Sequence, residues 1–210
     1  QLNFNPETDR GTTTNYGIGI NTKRFEVFTK NGFLFPDKPL KSLAIIVSGS
    51  HHQQVNYYGL STYSGSQNSL YTNVIYQTII GNSFNKIKFG SSFMADQYDE
   101  HLKVKNLDTS SVRSDLIPGI FTEYTYSNDG NISAVLGFRE DYIPNYGLRF
   151  TPRIHLRYQP WEKLTLRFSS GTGFRRPNVF IENVSQMASS KEFVFMGKLP
   201  NLDSAKSIGG

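Results

Sequence analysis

Apolar and polar residues alternate along most of the chain from Arg24 onward. The clearest example is 164–169, in which Leu164, Leu166 and Phe168 share one face and Thr165, Arg167 and Ser169 the other. A period of two residues is typical of a β-strand with one apolar face. The pattern predicts eight strands, near residues 24–35, 41–57, 69–80, 84–98, 117–127, 131–143, 147–158 and 163–175.

The connections between these strands differ in length according to the end of the sheet at which they lie. Short, turn-rich connections are predicted at 36–40, 81–83, 128–130 and 159–162. Longer ones are predicted at 58–68, 97–116 and 176–205, with the short connection 143–146 as the exception. Short turns at one end and long loops at the other are typical of outer-membrane barrels, as are such long strands. The predicted fold class is therefore all-β, with antiparallel up-and-down strands of a transmembrane β-barrel.

Composition excludes several other classes of protein. The chain of 210 residues has no cysteine, which excludes disulfides, a thiol nucleophile and cysteine-ligated metals. The longest aliphatic run is Leu43–Val47, far short of the roughly 20 residues that a membrane-spanning helix needs. The net charge of +5 is spread along the chain without a basic stripe, so no nucleic-acid partner is expected.

The face opposite the apolar one carries charged residues in the middle of strands. In a wide barrel this face lines a hydrated lumen, whereas in a soluble sandwich it faces bulk water. Tyrosines near strand ends fit an interfacial aromatic girdle, although they are also ordinary in soluble sheets. These tyrosines are Tyr124, Tyr126, Tyr142 and Tyr158.

Four segments occur in an order that resembles a known family. They are Pro118–Tyr126 (PGIFTEYTY), Leu136–Asp141 (LGFRED), Thr151–Tyr158 (TPRIHLRY) and Gly171–Asn178 (GTGFRRPN). Together they resemble the barrel strands of TonB-dependent outer-membrane receptors, in detail those of the Bacteroidetes type. The resemblance is strong over residues 117–190 and looser over 23–100.

The resemblance implies an active-transport receptor of the Gram-negative outer membrane, not an enzyme, and no cofactor. Such receptors take up metal chelates such as ferric siderophores, vitamins or oligosaccharides, energised by an inner-membrane complex. Residues 1–210 are then a partial barrel domain of about eight strands, from the middle portion of the barrel, without the plug domain. The implied partners are outer-membrane lipid, the plug, the remaining strands and, through the missing part, the energy-transducing complex; the small ligand is unknown.

The candidate site residues are those expected to face the lumen or the plug. Their arginines would create a positive potential that favours anionic ligands, although Glu123 and Asp141 share the wall. Three of them, Arg175, Arg176 and Glu182, would lie at the outer end of the last predicted strand. The full set is Glu123, Arg139, Asp141, Arg153, Arg157, Arg167, Arg175, Arg176 and Glu182.

Catalytic and metal sites are not expected. His51 and His52 are adjacent strand residues and would point to opposite faces, which prevents chelation of one ion. The carboxylates of the predicted loop 97–116 could bind a cation such as calcium, but a solvated acidic loop is the preferred explanation.

Two other interpretations of the same strands remain open at this stage. One is a complete small barrel of eight strands, either structural or a membrane-embedded hydrolase. The other is a soluble β-sandwich that binds carbohydrate or protein.

Overall fold

The strands form a single antiparallel sheet. The computed structural model describes residues 4–12, 15–104, 107–128, 131–175 and 205–209, the last segment as backbone only. Each strand pairs with the next along the chain, except that β6 pairs with both β7 and β8. The strands are β1 (Ile18–Leu34), β2 (Ser42–Tyr58), β3 (Ser61–Ile80), β4 (Asn82–Val104), β5 (Leu107–Ser127), β6 (Ile132–Ile143), β7 (Gly147–Phe150), β8 (Arg153–Trp161), β9 (Leu164–Arg175) and β10 (Ala205–Gly209). The prediction of an all-β, up-and-down fold is confirmed.

The predicted strand 147–158 is divided into β7 and β8 at Thr151–Pro152. Proline has no backbone N–H to donate to a ladder, so regular pairing is interrupted at this point. The backbone is held there by single hydrogen bonds, from Thr151 N to Arg139 O at 2.8 Å and from Thr172 N to Pro152 O at 3.0 Å. No helix in the described part of the chain is long and apolar enough to cross a membrane.

Two of the predicted long loops are strands. Residues 58–68 belong almost wholly to the β2–β3 hairpin, and residues 97–104 and 107–116 belong to the β4–β5 hairpin, which pairs from Val104↔Leu107 downward. The loop prediction is therefore wrong for both segments. Polar side chains interrupt the apolar alternation there, while the backbone ladder continues. The third predicted loop, 176–205, lies outside the described residues apart from Ala205 at the start of β10.

The outward face of the sheet carries an apolar band with a sharp upper boundary. Four register partners form its last row, namely Gly49, Leu70, Ala95 and Leu116. On β2 to β5 the next outward row is polar and consists of His51, Asn68, Gln97 and Ser114, while Phe25 of β1 pairs with His51. On β5 the band continues down to Tyr126, which is about the 9–11 residues that a tilted strand needs to cross a bilayer. The band therefore has the dimensions of a lipid-facing surface.

From the polar row upward, β1 to β5 continue as a five-stranded sheet, here called the extension (residues 18–25, 51–58, 61–68, 97–104 and 107–114). β6 ends much lower, because its highest pair with β5 is Gly119↔Asp141. The concave face of the extension buries a small core of Tyr58, Tyr63, Leu102 and Val104. The extension is therefore held by packing as well as by its ladders.

Candidate functional site

Six of the predicted site residues lie on the concave face, opposite the apolar band, namely Glu123, Arg139, Asp141, Arg153, Arg157 and Arg167. Register places Glu123 beside Gly137 and Gly137 beside Arg153, while Arg157 lies beside Arg167. Arg139 and Asp141 occupy the same face of β6, and Arg175 ends β9. Arg176 and Glu182 lie outside the described residues. That these residues face a lumen or a plug stays a prediction.

Glu123 is the centre of an ion network that joins three strands. Its carboxylate accepts hydrogen bonds from Lys88 Nζ of β4 at 2.9 Å and from Arg153 Nη2 of β8 at 2.6 Å. The Glu123 side chain is only 16% exposed, so these contacts replace much of its hydration. The network fixes both cations against the wall instead of leaving them free to meet a ligand.

The substitution Glu123→Gln is expected to destabilise the barrel by about 2 kcal/mol, because it leaves Lys88 and Arg153 without their shared counter-charge. Chemical unfolding of the whole receptor in lipid vesicles measures the change. Glu26→Gln is the matched control, since Glu26 pairs with Arg24 at 2.9 Å on an exposed part of β1 and such pairs contribute little. Equal effects of the two substitutions would contradict the role given to Glu123.

A second ion pair, between Arg139 and Asp141, explains why a glycine stands at position 119 in one of the family-like segments. Arg139 donates two hydrogen bonds to Asp141, both at 2.7 Å, and a third to Ser92 Oγ at 2.8 Å. Asp141 lies directly across from Gly119, where an added Cβ would come within 2.0 Å of the Asp141 carboxylate. Gly119 therefore leaves the space that the Arg139–Asp141 pair occupies.

Above this pair the concave face forms an open groove of about 410 Å³. Arg113 pairs with Asp115 at 3.1 Å and lies over the Tyr98 ring at 4.2 Å from its centroid. Asp96 accepts a hydrogen bond from Ser69 at 2.5 Å. None of these residues was among the predicted site residues, because most lie in the segment predicted as a loop. The alternation of Arg113, Asp115 and Ile117 was the signal that could have placed them on one strand face.

The charges of the groove are largely compensated inside the wall. Arg113 and Arg139 each have an aspartate partner, and Arg153 shares Glu123 with Lys88. The positive potential expected from the sequence is thus weakened at Arg113, Arg139 and Arg153, each of which has a carboxylate partner. Ion pairing across strands, which depends on register, is the reason for the difference.

His51 and His52 lie on opposite faces of β2, as expected for adjacent residues of a strand. His51 lies on the outward face, with its Nδ1 2.7 Å from Asn68 Oδ1, and His52 lies on the concave face. Among the described residues there is no group of three or more histidines, cysteines or carboxylates that could hold a metal ion.

Tyr63, in the extension, gives a prediction for alkaline pH. Burial, followed by the hydrogen bond to Glu100 and its charge, raises the pKa of Tyr63; the Tyr63 hydroxyl donates to Glu100 Oε1 at 2.8 Å. A raised pKa means that this stabilisation is complete below about pH 10, the pKa of an unfolded tyrosine, and is lost as pH rises further.

We therefore expect the apparent Tm of the wild-type receptor to fall more steeply between pH 9 and pH 11 than that of Tyr63→Phe. Tyr142→Phe, which removes an exposed hydroxyl, serves as the control. If wild type and Tyr63→Phe show the same pH slope, Tyr63 does not stay protonated as described.

A sheet with an outward apolar band of membrane height and a charged concave face defines the wall of a transmembrane β-barrel. The comparison with protein families identifies it further. The family described as "TonB dependent receptor-like, beta-barrel" matches residues 1–208, and the chain belongs to this family. Its members are transporters of the Gram-negative outer membrane and not enzymes, so the outer membrane is the location of this chain.

One solved structure shares the fold at low sequence identity, and a second has a lower TM-score. The alcaligin outer-membrane receptor FauA from Bordetella pertussis is 13% identical with a TM-score of 0.58, over 78% of this chain and 31% of that chain. The ferric enterobactin receptor PfeA, from Pseudomonas aeruginosa, is 12% identical with a TM-score of 0.48, over 68% of this chain and 27% of that chain. The chain thus spans less than a third of the length of these two receptors. No curated protein matches the sequence.

Proposed function

We propose that the chain forms part of the barrel wall of a receptor that imports a small ligand actively across the outer membrane. The observation that carries the proposal is the division of one sheet into an apolar outer band and a charged concave face, which in a closed barrel becomes the lumen wall. Residues 1–210 supply a partial barrel, and further strands and a plug domain complete it. An inner-membrane complex supplies the energy, and the ligand is a metal chelate of the siderophore type, a vitamin or an oligosaccharide.

The concave face suits passage of a ligand better than permanent retention. In the groove, Arg113 is paired with Asp115 and Arg139 with Asp141, so each can exchange a hydrogen bond with a ligand without leaving a bare charge behind. The Tyr98 ring, covered by Arg113, adds a flat surface for apolar or planar parts of a ligand. The extension rises beside the groove and forms the outer part of the same wall.

The experiment compares uptake in a strain that lacks the whole receptor with uptake in the same strain carrying the receptor. Three labelled probes are used, namely a ferric siderophore, cobalamin and a maltooligosaccharide, each with and without a protonophore. We expect receptor-dependent uptake of one probe that the protonophore abolishes. Uptake that persists with the protonophore would contradict energised transport. Uptake of all three probes that is the same with and without the receptor would contradict the ligand classes.

A groove variant links uptake to the described surface. Tyr98→Ala removes the ring beneath Arg113 and is expected to lower the affinity for the transported probe about tenfold, while leaving the amount of assembled receptor unchanged. Tyr142→Ala, a change on the outward face, is the control. Unchanged affinity in Tyr98→Ala would separate the groove from the transport path.

A further inference from the structure

Arg157 of β8 and Arg167 of β9 lie directly opposite each other in the ladder. Both occupy the concave face and both are exposed in this sheet. Directly opposed residues of an antiparallel pair have Cβ atoms about 4.5–5.5 Å apart, so the two guanidinium groups share one small region.

Neither arginine has an ion-pair partner in the part of the chain that the structure describes. Arg157 donates to the neutral Gln159 side chain, and Arg167 makes no side-chain hydrogen bond to a described residue. The carboxylate of Glu123 lies further up the wall, where Lys88 and Arg153 hold it. In the β8–β9 turn, the backbone carbonyl of Glu162 accepts a hydrogen bond from Gln159 Nε2, and its carboxylate contacts neither arginine.

The neighbours of the two arginines in the ladder are small or neutral polar residues. Ser133, the partner of Arg157 on β6, has a small side chain, and the next pair above is His155 with Ser169, joined at 2.9 Å. This part of the wall therefore carries two guanidinium groups, a histidine and hydroxyl donors, without a described carboxylate among them.

Like charges placed directly opposite each other destabilise a sheet, and a bridging anion reverses the sign of that effect. Guanidinium forks bind the oxygens of carboxylate or phosphate in pairs. We propose that Arg157 and Arg167 form a binding site for one bridging oxyanion on the barrel wall, near the β8–β9 turn. The proposal rests on the lumen-facing placement given under the proposed function.

Two sources can supply this oxyanion, and the experiment distinguishes them. The apparent Tm of the whole receptor in detergent is measured at one scan rate, in chloride and in phosphate buffers of equal ionic strength and pH. The variants are Arg157→Gln, Arg167→Gln and Arg167→Lys, which keeps the charge without the fork. Arg24→Gln is the control, because Arg24 is an exposed arginine with a carboxylate partner. Heat-modifiable migration on gels first verifies that each variant assembles.

A site filled by an acidic side chain of the same receptor predicts that both glutamine variants lower the Tm by about 1–2 °C in either buffer. A site filled from solution predicts that phosphate raises the wild-type Tm, and that both glutamine variants abolish the rise. Either result supports the site, and the Tm of Arg167→Lys should then lie between those of wild type and Arg167→Gln.

A Tm that rises or stays unchanged on glutamine substitution overturns the proposal. If the two arginines are merely solvated, each glutamine substitution removes a repulsion, so the Tm rises or stays within the change seen for Arg24→Gln, and phosphate has no effect. If a glutamine variant fails to assemble, Arg167→Lys decides between the two. If Arg167→Lys assembles with the wild-type Tm, and if phosphate does not change that Tm, then no oxyanion is bound. These outcomes are separate from failure of the lumen placement, which is tested by substitutions at Thr165 and Leu166.

Discussion

Aspartate in place of Leu166 is expected to prevent assembly of the receptor in the outer membrane. Leu166 is the central of the three apolar residues that β9 presents outward, and 52% of its surface is exposed. A charged group in this position would face lipid, at a cost of up to about 2–4 kcal/mol depending on depth and residue type. The measurement is the fraction of receptor that shows heat-modifiable migration after outer-membrane isolation.

Thr165→Asp provides the matched control, one residue away on the same strand. Thr165 lies on the concave face and is exposed there, so aspartate at this position enters the hydrated lumen and assembly should stay at the wild-type level. The opposite result, harmless aspartate at 166 and defective assembly with aspartate at 165, would reverse the two faces of the sheet. The proposed lumen wall would then be wrong.

Valine in place of Gly90 is expected to destabilise the barrel by about 3 kcal/mol. A Cβ at Gly90 would come within 2.0 Å of the Val74 carbonyl oxygen and 2.7 Å of the Phe121 ring. The carbonyl oxygen belongs to the paired backbone of β3 and cannot move aside without disturbing the ladder, so overpacking forces the two strands apart. Urea unfolding of the receptor reconstituted in lipid vesicles measures the loss.

Gly49→Val separates this steric effect from the general change of glycine to valine. Gly49 lies on the neighbouring strand β2, and its nearest atom to an added Cβ is Ser69 O at 3.9 Å, an ordinary contact. Its outward position at the upper edge of the apolar band favours an added apolar group. Equal destabilisation by the two substitutions would mean that Gly90 is not needed for close approach of β3 and β4.

The sequence predicts the membrane part of the fold well, and the reason is physical. Between lipid and water, side chains on the two faces of a strand must differ, so β9 shows strict alternation from Leu164 to Ser169. Outside the bilayer this requirement ends. Ser61–Asn68 is mostly polar on both faces and looks like a loop in the sequence, although it continues β3 to its tip. Hydrogen bonding between neighbouring strands maintains the extension, and side-chain patterns report it poorly.

The candidate site was predictable as a face but not as a set of contacts. Alternation alone places Glu123, Arg139 and Arg153 on one surface. Which cation meets Glu123 depends on the register of three hairpins, and Lys88 gave no local signal of its role. The family-like segments 118–126 and 136–141 gain a common explanation, because they pair with each other and bring Gly119 against Asp141. The Bacteroidetes subtype and the lumen-facing roles stay predictions.

Under the proposed function the extension faces the exterior of the cell, and its strand character then determines which residues of β4 a phage or an antibody can reach. Along β4 above the membrane, Gln97, Asp99, His101 and Lys103 are exposed, whereas Glu100, Leu102 and Val104 are buried. A phage or antibody that approaches from the outward side therefore meets only every second residue of this segment. Escape variants should therefore accumulate at alternate positions. A linear peptide with the sequence of this segment would expose about twice as many side chains as the folded receptor does.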